Sequence, residues 1–60
     1  MSAVYNPEAD IIAEIERLEL EARNFRKRQE QARNENDRRA LGKLLKDAEE
    51  SIKALRSRLP

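Results

Sequence analysis

The sequence predicts an all-α fold, an antiparallel two-helix hairpin with a coiled-coil-like seam. Two rows of apolar residues carry most of that prediction. The first runs Ile11, Ile15, Leu18, Ala22 and Phe25, then fades at Gln29 and Ala32. The second runs Leu41, Leu45, Ala48, Ile52, Leu55 and Leu59. Both alternate steps of four and three, the spacing that keeps one helix face against a partner. The rows are also mirror images about Glu35. Folding the chain back there sets Ile11 against Leu59, Ile15 against Leu55, Leu18 against Ile52, Ala22 against Ala48, Phe25 against Leu45 and Gln29 against Leu41.

Phase supplies the third observation. Ala32 and Leu41 lie nine residues apart, which is about 900° along a straight helix, or half a turn out of register. A single helix over residues 7–59 would put its two rows on opposite faces, and a turn removes the conflict. Such long helices could still pair between two chains as an opened, swapped form of the hairpin.

Taken in order, residues 1–5 read as a flexible lead. Asn6-Pro7-Glu8 is a helix start: asparagine caps, proline fits the first turn, and an acid suits the positive end of the helix dipole. Helix 1 is expected over about 7–33, supported by i,i+4 pairs such as Glu19–Arg23 and Arg26–Glu30. The turn is expected at about 34–36, where asparagines can adopt the left-handed conformation or cap the next helix. Helix 2 is expected over about 37–59, closed by Leu59-Pro60. Gly42 costs that helix about 1 kcal/mol relative to alanine and reads first as a tolerated surface glycine, with close approach of a partner backbone as the alternative.

Composition narrows the function. The chain has 60 residues, 42% of them charged and only 3% aromatic, a helix-rich composition with little material for a thick core. Without histidine or cysteine, thiolate metal sites, disulfides and imidazole catalysis are ruled out. A two-helix seam encloses no dry pocket, so no enzyme, cofactor or small-molecule substrate is expected. Glu14 and Glu21 share a face, but two carboxylates without converging loops read as a solvated surface. Met1–Tyr5 has no basic region leading into an apolar run, and no stretch approaches the ~20 apolar residues that span a bilayer, so a cytoplasmic protein is expected.

Net charge is +1, unevenly placed. Residues 8–22 carry six acids against Arg17, whereas residues 23–46 carry nine bases against Glu30, Glu35 and Asp37. The hairpin lays the acidic start of helix 1 beside Lys53, Arg56 and Arg58. Two kinds of partner follow. Ile12, Leu20 and Leu44 lie off the narrow seam and are candidates for helix docking; two hairpins closing into a four-helix bundle, a homodimer, is the expected assembly. Docking on another helical protein uses the same residues. The alternative is a small nucleic-acid-binding regulator whose turn-proximal end offers Arg26, Lys27, Arg28, Arg33, Arg38, Arg39, Lys43 and Lys46 to phosphates. Phe25 sits beside them but belongs to the seam. The amphipathic Lys43–Leu59 stretch lacks Trp or Phe for a membrane surface, and helix 1 already claims its apolar face.

Overall fold

A computed structural model describes residues 6–60; the predicted flexible lead, 1–5, lies outside the described residues. Two helices, α1 (Pro7–Gln31) and α2 (Glu35–Arg56), pack against each other, and the described residues contain no strand. Only Ala32, Arg33 and Asn34 join them. So short a connection leaves the helices antiparallel neighbours, and the chain is a hairpin rather than one long helix.

α1 begins as its sequence demands. Asn6 is extended (φ −118°, ψ 97°), and its Oδ1 accepts from the backbone N–H of Glu8 at 3.1 Å and of Ala9 at 3.3 Å. Pro7 follows at the first helical position, where its missing N–H costs nothing.

The turn departs from expectation. It occupies 32–34 rather than 34–36, so α1 stops two residues early and α2 starts two residues early. Asn34 decides this. Its Oδ1 accepts from the Asp37 N–H at 2.8 Å while its Nδ2 donates to Asp37 Oδ2 at 3.0 Å, a reciprocal cap that needs an acid three residues on. Glu35 thereby enters the first turn of α2, with Arg38 and Arg39 each 3.5 Å from its carboxylate. No left-handed residue is needed: among the described residues none has positive φ, and α1 ends on an extended Ala32 (φ −65°, ψ 135°) whose carbonyl accepts from Arg38 at 3.2 Å. Replacing Asn34 with alanine is expected to cost about 1 kcal/mol, read as a lower urea midpoint by circular dichroism. Asn36→Ala, on the exposed first turn, serves as the neutral control.

α2 ends at Arg56, short of the expected 59. The last turn tightens: Arg58 N–H donates to Leu55 O at 3.0 Å, Leu59 N–H to Arg56 O at 3.1 Å, and the Ser57 hydroxyl to Ala54 O at 2.6 Å. Pro60 reinforces the stop by disfavouring helical backbone at Leu59.

The core is thin. Ile15, Ala22, Ala48 and Ile52 are buried; the other seam residues, Ile11, Leu18, Phe25, Leu41, Leu45, Leu55 and Leu59, are half-buried. Two helices cover each other along a single line, so a seam side chain has neighbours on one side and water beside it.

Gly42 is not the surface glycine expected. It is half-buried, and a Cβ there would sit 2.8 Å from Gln29 Nε2. That amide lies over the α2 backbone and donates to the Arg38 carbonyl at 3.2 Å. Gly42 therefore admits the Gln29 side chain where the seam turns polar. Gly42→Ala alone is expected to be close to neutral, since a helix-propensity gain of about 1 kcal/mol meets the loss of an exposed hydrogen bond of about 1 kcal/mol. Combining it with Gln29→Ala removes the clash. The double variant should melt higher than Gln29→Ala alone by thermal denaturation.

Candidate interaction surfaces

A helix rotates about 100° per residue, so residues seven apart lie nearly in line, drifting only ~20°. The hairpin therefore has two broad sides, one along each edge of the seam. On the first, two ion pairs cross between the helices: Arg56 to Glu19 at 2.7 Å and Arg26 to Glu49 at 3.2 Å. They bracket an open groove of about 580 Å³ whose floor is Ala22 and Ile52 and whose rims carry Arg23 and Lys53. No acid pairs with Arg23 or Lys53 among the described residues.

The opposite side is built differently. A groove of about 430 Å³ there is lined by Leu18 and Leu55 at its base and by Ser51, Ala54, Glu14, Arg17 and Arg58. Arg17 is held between two carboxylates of its own helix, Glu14 at 2.5 Å and Glu21. The hydrogen bond from Arg17 drives the Glu14 carboxyl below its ordinary value of 4.5, and the paired acids raise Arg17 in turn. These two carboxylates are thus occupied by a guanidinium. No cluster of three or more potential metal ligands occurs among the described residues.

Because Glu14 is lowered on folding, its ion pair contributes above the ordinary glutamate pKa and is lost as pH falls through the lowered one. The Glu14 carboxyl carbon should titrate below 4.5 by NMR, and Arg17→Gln should return it to the ordinary range.

The docking candidates do not form one patch. Ile12, seven residues before Glu19, lies on the ion-paired side; Leu44, seven before Ser51, lies on the opposite side. Leu20 points outward from α1, about 200° from the seam residue Leu18. Their exposures are 47% for Ile12, 46% for Leu44 and 55% for Leu20. The eight basic candidates disperse as well. Arg26, Arg39 and Lys46 share the ion-paired side, and Arg28 lines a groove on the other with Ala40 and Leu41. Lys27 and Lys43 point outward, two residues beyond the seam positions Phe25 and Leu41. Arg33 sits in the turn, and Arg38 folds back onto Ala32.

Three groove bases, Arg23, Lys53 and Arg56, were not among the sequence candidates. The seven-residue recurrence of bases at Arg39, Lys46 and Lys53 is the signal that points to this side. No helix among the described residues is long and apolar enough to cross a membrane. The chain matches no protein-family model, no curated protein and no solved structure.

Proposed function

We propose that this chain is a non-enzymatic helix-docking module that associates with a second copy of itself, two hairpins closing into a four-helix bundle. The observation that carries this reading is the incomplete core. Seven of the eleven seam residues remain half-buried, while Ile12, Leu20 and Leu44 stay about half exposed. A partner hairpin that covers the apolar surface on one side gains roughly 25 cal/mol for each Å² removed from water, a contribution that a thin two-helix seam does not supply within one copy. The side bearing Leu44 suits a partner helix better. The walls of its groove include Ser51 and Ala54, small residues that permit close approach, and Leu18 and Leu55 lie at its base. Ile12, on the ion-paired side, stays outside this contact.

Sedimentation equilibrium tests the proposal. Wild type is expected to self-associate, and Leu44→Glu to weaken association by about tenfold or more, since burying one leucine contributes ~1.5–3 kcal/mol. Ile12→Glu, on the far side, should leave association nearly unchanged. A wild-type chain that stays monomeric at every concentration overturns self-assembly.

A further inference from the structure

We infer that the ion-paired side is a track for the phosphate backbone of double-stranded nucleic acid, running along α2 from the groove toward the turn. This site is separate from the docking side; of the eight bases around the turn it takes only Arg26, Arg39 and Lys46, and it adds Arg23, Lys53 and Arg56. Lys53 and Arg23 face each other across the groove, with Arg26 and Arg56 at its ends. Lys46 and Arg39 continue the line of Lys53 at seven-residue steps. Each step is about 10 Å along the helix, so Arg39 to Lys53 covers about 21 Å, or about six base-pair steps at 3.4 Å each.

The acids on this side shape the track without closing it. Glu19, Glu49 and Glu35 are each held by a base of the chain, Arg56, Arg26 and Arg39 respectively. Glu16 and Glu30, seven residues either side of Arg23, limit the track on α1 and leave α2 as its main rail. Lys46, Lys53 and Arg23 have no ion-pair partner among the described residues, so they meet phosphates without first breaking a contact.

Duplex is favoured over single strands because binding of unpaired bases draws on aromatic stacking. The groove lining contains no aromatic residue, and Phe25 is a half-buried seam residue. Contacts confined to phosphates position a protein on a duplex and carry no sequence information. The recognised ligand is therefore the charged duplex backbone, with no preferred sequence.

The test is a titration of the full chain against duplex DNA, duplex RNA and poly-glutamate at several salt concentrations. Binding to a duplex is expected at low salt, with affinity falling about 100-fold between about 50 and 200 mM for four phosphate contacts. Lys46→Gln with Lys53→Gln should lower the log–log salt slope by about two. Arg28→Gln with Arg58→Gln removes the same charge from the other side and should leave the slope unchanged. Circular dichroism confirms that each variant folds. Three results overturn the proposal: no duplex binding at low salt, equal losses from both double variants, or poly-glutamate binding as tight as duplex, which would mark the groove as a site for an acidic protein.

Discussion

Ile52→Ala is expected to cost about 2–3 kcal/mol and to leave the isolated hairpin largely unfolded. Among the described residues, Ile52 and Ile15 are the only large side chains of the four that are buried, and no large side chain is fully buried to share the loss. The estimate sits at the lower end of the range for such truncations because Ile52 floors an open groove. Neighbours can collapse into the space and water can enter, so less cavity survives. The loss is still large for a domain of this size, whose total stability is itself a few kcal/mol. Urea denaturation followed by circular dichroism gives the midpoint. Ile52→Val should cost about 0.5–1.5 kcal/mol. Leu20→Ala, at 55% exposure, should stay within about 0.5 kcal/mol. If Ile52→Ala and Leu20→Ala melted alike, the seam would not be the source of stability. Measuring across protein concentrations separates the intrinsic effect from association, because self-association raises the apparent midpoint by mass action.

Ala48→Leu carries the second large effect, with the opposite geometry. Ala48 and Ala22 are each 6% exposed and face each other in the seam register, so their small size sets how closely the helices approach. Three added carbons at Ala48 have no space to fill. Overpacking of this kind costs about 1–3 kcal/mol. The helices are expected to separate locally rather than melt, since leucine is itself a strong helix former. Helix content should therefore persist at low denaturant while the urea midpoint falls. The cross-helix contact between Arg26 and Glu49, one residue beyond Ala48, should weaken, seen as a chemical-shift change at the Glu49 carboxyl. Ala13→Leu makes the same chemical change at an exposed position outside both grooves and should leave the midpoint nearly unchanged. A neutral Ala48→Leu would mean that the seam is looser than its two buried alanines imply.

Much of the architecture was legible because it rests on periodicity. Rows spaced four and three, mirrored about the mid-thirties, specify two faces that must meet, and the half-turn phase change demands a break between them. The break itself was less legible. Asn34, Asn36 and Asp37 are all competent caps, and the choice among them depends on which side chain finds a reciprocal partner. Asn34 reaches Asp37 with two hydrogen bonds, which moved the turn by two residues. Gly42 is hard to read from sequence for a related reason: its role depends on Gln29 arriving from the other helix, a contact without a local signal.

The surfaces divide in the same way. Sequence nearness gathered eight bases around the turn, yet residues adjacent in sequence point about 100° apart on a helix, so Arg26, Lys27 and Arg28 cannot serve one surface. Bases three, four or seven residues apart share a side, and Arg23 and Lys53 come together only because the helices meet.

By itself the sequence determined that this protein is helical, that its two apolar rows must face each other, and that no imidazole or thiolate chemistry is available to it. Those are consequences of composition and period. The tertiary structure decided which asparagine ends the turn, why a glycine stands at position 42, and which side of the hairpin each exposed leucine and each base occupies. These depend on groups from both helices meeting across the seam, and a linear pattern records the angle of each residue on its own helix but not what arrives from the other.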